Sequence, residues 1–204
     1  IVPETRLKAR EHQLSIQRDL EFTAGSDGSK VPDIAGFRRK IAAPERAMLG
    51  AQQLDWLARE VEDSVAAGRP WVLLGSATIM GDYDYPDMSD FAPASGPLKG
   101  FFEMTRLKLP LLNLDAWSGY GAERQRVYDI IRRAGAQAVV LSGDSHMAFA
   151  NELHDAQGQV ALEVAATTIT GPSLGSVLAM RQAPLGERLA AANRDIAWCD
   201  HLAI

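Results

Sequence analysis

Apolar positions along the 204-residue chain follow two alternating periods. Over "PERAMLGAQQLDWLAREVEDSVAAG", residues 44 to 68, Met48, Leu49, Leu54, Leu57 and Val61 recur at helical spacing, with Trp56 at the edge of the stripe. Pro44 suits a helix start, and Gly68 followed by Pro70 is a stop. The next run, "WVLLGSATIM" (71–80), is too short and too evenly apolar for a surface helix and predicts a strand. The pairing repeats. "GAERQRVYDIIRRAG" (121–135) buries Val127, Ile130 and Ile131 and stops at Gly135, and "AQAVVLSG" (136–143) is a second strand. "FANEL" (149–153) is strand-like, "QVALEVAATTIT" (159–170) predicts another strand, and a last helix is expected over about 183 to 193. Helices and strands mixed in this order predict an α/β fold.

Between these segments the pattern breaks. "ETRLKAREHQLSIQRDL" (4–20) is charged and reads as either a helix or an extended surface segment. "TAGSDGSKVPDIAG" (23–36) reads as a loop, and so does the basic cluster Arg38-Arg39-Lys40. From Gly81 to Leu114 the chain is irregular and rich in Pro, Gly and Asp, which suits a functional or surface excursion. Its "DYDYPDMSD" (82–90) fails as a calcium loop: counted from Asp82, Asp87 stands where glycine is required and Pro93 where glutamate is. It is expected to be solvated.

Composition narrows the function. A net charge of −5 gives no basic footprint, so no stable nucleic-acid partner is expected. No apolar run is long enough to span a membrane. A single cysteine, Cys199, excludes an internal disulfide and any paired-cysteine metal motif. His12 and His154 read as surface histidines.

Three places carry candidate chemistry. At Gly143-Asp144-Ser145-His146 a strand ends in a carboxylate and an imidazole one residue apart, where open α/β sheets bind ligands. Asp144 and His146 suit iron, manganese or zinc, and a carboxylate also suits calcium. The same residues also fit a hydrogen-bonded turn. Asp115, Trp117 and Tyr120 precede a helix N-terminus and suit an anionic substrate or a metal, or else a capping loop with buried aromatics. Finally "GPSLG" (171–175) matches G-x-S-x-G, so Ser173 is a candidate nucleophile with Asp195 and His201 downstream. The alternative is a polar loop of Thr167, Thr168, Thr170 and Ser173 lining a site made by others.

Taken together, the segments resemble the C-terminal half of a PhoD-like alkaline phosphatase. "ETRLKAR" is similar to the family's D-T-R-x-x-R, with Glu4 for Asp. "RAMLGAQQLDWL" is similar to R-x-M-L-G-x-x-Q-x-x-W-L through Arg46, Met48, Leu49, Gly50, Gln53, Trp56 and Leu57. "LDAWSGYGAERQR" is similar to D-x-W-D-G-Y-x-A-x-R, with Ser118 for Asp. "GDSHMAF" is similar to G-D-x-H-x-x-W, with Phe149 for Trp. Glu163 to Ser173 is similar to E-x-x-x-x-S-I-T-S-P.

The resemblance implies half of a metallophosphoesterase-type α/β sandwich with a mixed sheet, residues 1–204 being the C-terminal part of one catalytic domain. It implies a metal-dependent alkaline phosphatase or phosphodiesterase in which metal-bound hydroxide attacks a phosphate-ester small molecule. Asp144 and His146 would ligate iron and calcium, or other divalent metals. Asp115, Trp117, Tyr120, Thr170 and Ser173 would face the substrate or support the ligands. The family's other ligands lie in its N-terminal half, so this chain alone is expected to be inactive, and to self-associate or pair with that half. The family's members are commonly exported, which implies periplasm or the extracellular space. The readings that compete are a non-catalytic binding fragment with an incomplete metal site and a serine hydrolase using Ser173.

Overall fold

The chain's structure, a computed structural model, describes residues 1–112, 114–180 and 184–202. Its elements run α1 (Ile16–Asp19), β1 (Phe22–Ala24), β2 (Lys30–Pro32), α2 (Ile34–Ile41), α3 (Gly50–Ala66), β3 (Trp71–Gly75), α4 (Pro97–Met104), α5 (Gly121–Ala134), β4 (Gln137–Ser142), β5 (Ala148–Asp155), β6 (Gly158–Ala165), α6 (Leu174–Val177), α7 (Leu185–Ala192) and β7 (Ile196–Asp200). Five strands form one mixed sheet in the order β3-β4-β6-β5-β7. β3, β4 and β6 are mutually parallel, whereas β5 runs antiparallel to both β6 and β7. The α/β expectation with a mixed sheet holds.

Strand alternation separates the two faces of the sheet. Val72, Leu74, Ala138, Val140, Phe149, Leu153, Ala161, Ala165 and Ile196 point to the buried side. At the β3–β4 side they pack beneath α3 and α5, with Leu54, Leu57, Val61, Val127 and Ile131. At the β5–β7 side they meet Leu185 and Leu189 of α7 and the aromatic loop of Tyr83 and Tyr85. The opposite face is bare. Trp71, Leu73, Leu141, Leu162, Val164 and Trp198 are 45% to 64% exposed, and the strand register places them side by side. A one-sided sheet of this kind is what half of a sandwich presents.

Several boundaries differ from the sequence pattern, each for a physical reason. The helix expected from Pro44 starts at Gly50, because the buried Glu123 carboxylate of α5 takes the amides of Met48, Leu49 (2.6 Å) and Gly50 (3.0 Å). The strand from Trp71 ends at Gly75, and the strand from 159 starts at Gly158 and ends at Ala165. The last helix covers Leu185–Ala192; its expected first residue, 183, lies outside the described residues.

The stretch read as a loop over 23–36 forms the hairpin β1–β2 and opens α2, which is capped by Asp33 donating no proton but accepting from the Gly36 amide (2.8 Å). Arg38, Arg39 and Lys40 sit on α2, not on a loop. Arg38 pairs with Asp84 (2.5 Å) and Lys40 with Glu21 (2.5 Å). The irregular stretch holds α4, with Phe102 buried, and the Asp-rich run is paired as well as solvated: Asp82 meets Arg124 (2.8 Å) and Asp90 meets Arg188 (2.7 Å). Tyr83, Tyr85 and Met88 of that run are core residues. Among the described residues no helix is long and apolar enough to cross a membrane.

Candidate functional site

The three parallel strands end on one edge of the sheet, and their loops build a cavity of about 280 Å³. Asp115, Asp144, Ser145 and His146 line it on one side, and Tyr83 and Leu174 are among its apolar walls. The turn after β4 supplies the central pair. Asp144 (φ 61°) and His146 (φ 55°) both occupy the left-handed region, which is uncommon for residues other than glycine. Two such residues flanking Ser145 are held by their surroundings, as strained backbone at functional sites is. The Leu174 amide donates to the His146 carbonyl (2.8 Å), and Ser145 Oγ donates to the Met147 carbonyl (2.7 Å).

The imidazole is oriented from behind. His146 Nδ1 lies 2.8 Å from the Pro172 carbonyl, which can only accept, so Nδ1 carries the proton and Nε2 keeps its lone pair. A metal-ligating histidine is commonly fixed in this way. Gly171 packs close to the ring, and a Cβ there would stand 2.9 Å from His146 Cε1, so the imidazole would have to shift. The loop that follows β6 thus lies close against the ring.

Arg6 reaches both carboxylates from the N-terminal segment. Its guanidinium bonds the Asp144 carboxylate and lies 3.5 Å from that of Asp115. The segment that carries it is built for placement. The Glu4 carboxylate accepts the amides of Arg6 (2.5 Å), Leu7 (2.9 Å) and Lys8 (2.8 Å), and these bonds hold its carboxyl below the usual range. Gln53 of α3 clasps Glu4 in both directions, accepting from its amide (2.8 Å) and donating to its carbonyl (2.9 Å). Arg10 donates to Tyr120 Oη (3.1 Å) and to the Asp115 carbonyl. Ile1 is bonded along the β3 edge.

Trp117 and Tyr120 stand behind the cavity. Trp117 is buried and donates from Nε1 to Ser76 Oγ (3.1 Å), tying the loop before α5 to the end of β3. Tyr120 is buried beneath the Arg46 guanidinium, 4.7 Å from the ring centre, and donates to the Glu11 carbonyl (2.8 Å). Arg46 in turn donates to the Gly119 carbonyl (2.8 Å), and a Cβ at Gly119 would collide with the Leu114 carbonyl. Thr170 is exposed on the loop after β6.

Ser173 is fully buried, and its Oγ lies 2.9 Å from Ser176 Oγ. The residues proposed to activate it are engaged elsewhere: His201 Nε2 lies 3.2 Å from the Met180 carbonyl, and Asp195 Oδ1 lies 3.1 Å from His154 Nδ1. That bond also corrects the reading of His154 as a surface residue, since its side chain is only 13% exposed. Cys199 is on β7, where its Sγ donates to the Gly186 carbonyl (3.2 Å) and burial pushes the thiol up to about 12. It stays protonated at neutral pH.

The loops are set by groups that the sequence marked only through the family likeness or not at all. Glu163, almost fully buried in the centre of β6, accepts from the amides of Met80 (2.6 Å) and Gly81 (2.8 Å), from Ser142 Oγ (2.7 Å) and from Asn151 Nδ2 (2.8 Å). Burial raises its carboxyl above the ordinary glutamate value against the pull of those donors. Arg6 was signalled only by the D-T-R-x-x-R likeness, and the wall residue Tyr83 only by lying in an Asp-rich loop.

Whether these residues suit a metal follows from the donor set. Two carboxylates and an imidazole with a free Nε2 are appropriate donors for a hard or borderline cation. Among the described residues, however, no three His, Cys, Asp or Glu side chains converge on one point. Asp144 and His146 therefore fit as part of a ligand set, with a guanidinium already bonded to the carboxylate.

The chain is similar to known proteins in sequence and in fold. The family model described as PhoD-like phosphatase matches residues 4–203. Alkaline phosphatase D of Bacillus subtilis (strain 168) is 26% identical over 132 residues, which are 64% of this chain and 18% of that protein. A solved structure of PhoD superposes with a TM-score of 0.62 at 20% identity, covering 98% of this chain and 31% of the other, a likeness of fold.

Proposed function

The chain belongs to the PhoD-like phosphatase family, and from that membership we propose that it carries one part of a metal-dependent phosphate-ester hydrolase site. The observation that supports this most directly is the left-handed turn that presents Asp144 and His146 together at the cavity beyond β4. Asp144 and His146 would hold the cation, with Asp115 beside them. Iron and calcium are the cations proposed, on the family likeness and on the hard donor set. When bound, such a cation supplies charge that polarises a phosphate oxygen and makes a water more acidic.

The chain's own residues have separate tasks. The Pro172 carbonyl keeps a His146 proton on Nδ1, which leaves Nε2 as the nitrogen whose lone pair a cation would take. Glu163 and Trp117 fix the loops that carry the cavity wall. Exposed Thr170 would meet substrate from the rim, whereas Trp117, Tyr120 and Ser173 support the site from inside.

The chain spans 18% of the curated relative and 31% of the solved relative it matches. Phosphatase or phosphodiesterase activity, a phosphate-ester small molecule as substrate and a periplasmic or extracellular setting are accordingly proposed for the whole protein. The chain alone is proposed to be inactive. The test is iron and calcium content by mass spectrometry on the purified chain, beside Asp144→Asn and His146→Ala. Each substitution should lower bound metal by more than about tenfold, the order expected when a ligand or its orienting partner is lost. Unchanged metal content in both variants would place the cation elsewhere.

A further inference from the structure

The cavity beyond β4 has a wall that the carboxylates and the imidazole leave unused. Among the described residues that line it, Asp115, Asp144 and His146 are the only acidic or basic side chains. Much of the remaining wall is apolar or aromatic: Ile79, Tyr83 and Tyr85 are buried in it, and Leu112 and Val177 are about half exposed. A half-exposed leucine and valine beside a cavity gain from an apolar ligand, because contact with it removes them from water.

That wall is already formed. Asp195 and Asn193, just ahead of β7, accept from the amides of Asp82 (3.3 Å) and Asp84 (2.8 Å), and the Leu109 carbonyl accepts from the Tyr85 amide (3.1 Å). The Tyr83 ring lies 5.6 Å from that of Phe149, and Tyr85 meets Phe101 edge-on at 5.7 Å. Groups fixed in this way leave little ordering cost to be met on binding. Size and polarity then select the ligand. At about 280 Å³ the cavity falls just under the range of about 300–1,000 Å³ that drug-sized ligands occupy, so it takes one small group. A glycerol or sugar hydroxyl on this wall would exchange water for mostly apolar neighbours, which costs free energy, whereas a ring or a branched alkyl group would not. We propose that the wall of Ile79, Tyr83, Tyr85 and Val177 binds the carbon group of the phosphate ester, and that this group is a small aromatic or branched apolar one. The assignment to an ester rests on the metal and phosphate reading of Asp144 and His146. The apolar subsite rests on the cavity alone.

Two titrations of this chain, followed by NMR of its backbone amides, separate those parts. The first needs no metal. In EDTA, 4-methylphenol should shift the amides of Ile79, Tyr83 and Val177, and glycerol should leave them in place. Val177→Asp, at a half-exposed position, should weaken 4-methylphenol by about fivefold or more. The double variant Leu73→Lys with Val164→Lys should bind it as the unsubstituted chain does, because those residues lie on the bare face of the sheet. The same spectra show whether each variant is folded. The second titration adds manganese(II). Phenylphosphonate should then bind about tenfold more tightly than methylphosphonate, the worth of partly burying a ring. Asp144→Asn should weaken both.

If 4-methylphenol leaves those amides unshifted, if glycerol shifts them equally, or if Val177→Asp binds the phenol unchanged, the apolar subsite is overturned whatever the metal does. Loss of the shifts in the Leu73→Lys, Val164→Lys variant would place the probe on the bare face and overturn it as well. Equal affinity for the two phosphonates, with 4-methylphenol still bound, would overturn the assignment of the wall to the ester's carbon group. No phosphonate binding with manganese, or binding unchanged in Asp144→Asn, would instead overturn the metal and phosphate reading, and the ester assignment with it. The titration in EDTA would still decide the apolar subsite.

Discussion

At the scale of single residues, the side chains that matter most are charged groups placed where water is scarce. Glu163 serves four donors from three segments, so removing its carboxylate leaves buried amides of Met80 and Gly81 with nothing to accept them. Each buried group left without a partner costs about 1–3 kcal/mol. Glu163→Ala is therefore expected to destabilise the chain by roughly 3 kcal/mol or more, read from chemical denaturation. A loss below about 1 kcal/mol would mean that the loop from Ser76 to Gly81 is held by other contacts. Glu123 shows the same logic, with its carboxylate at the start of α3. Glu123 could not be singled out from its neighbours in the sequence, and Glu163 stood out only through the E-x-x-x-x-S-I-T-S-P likeness, because a glutamate in an amphipathic helix or an alternating strand looks solvated. Asp144 and His146 were legible for the opposite reason: a carboxylate and an imidazole directly after a strand-ending Gly143 stand out against the apolar run before them.

Among elements, the apolar period located α3, α5, β3, β4 and β6, since each buries a continuous stripe. It missed what small contacts decide. The hairpin β1–β2 is exposed along its length apart from partly covered Pro32, so it carries no apolar signal. β7 was missed because its burial is mixed: Ile196 faces the core and Trp198 the bare side. One element junction gives a pH prediction. Arg132 of α5 grips Asp155, at the end of β5, through two bonds of 2.7 Å. The Arg132 hydrogen bond is the main cause that holds the Asp155 carboxyl down at about 2. A folded-state value below the unfolded one adds stability above the unfolded value of about 3.9, and this is lost as pH falls through the folded value. The melting temperature of the unsubstituted chain should thus fall more steeply between about pH 4 and pH 2 than that of Asp155→Asn. Parallel curves would show that the bond does not couple α5 to the sheet.

On the scale of the whole molecule, the bare face of the sheet is the dominant feature. Six large apolar side chains at 45% to 64% exposure form a patch wider than scattered surface residues do. The chain in isolation is expected to self-associate through that face, and Leu73→Lys together with Val164→Lys should shift it toward monomer in sedimentation velocity. A monomer at all concentrations would mean that the face tolerates water. The sequence by itself determined the α/β class, the main helices and strands, and the Asp144–His146 turn, because periodicity and strand-end chemistry are local properties. Only the tertiary structure decided that Arg6 bonds Asp144 from 138 residues away, that Asp195 serves His154 instead of a serine, and that one face of the sheet lies open. Those outcomes depend on which loops the parallel strands bring to one edge, and local pattern does not encode long-range register.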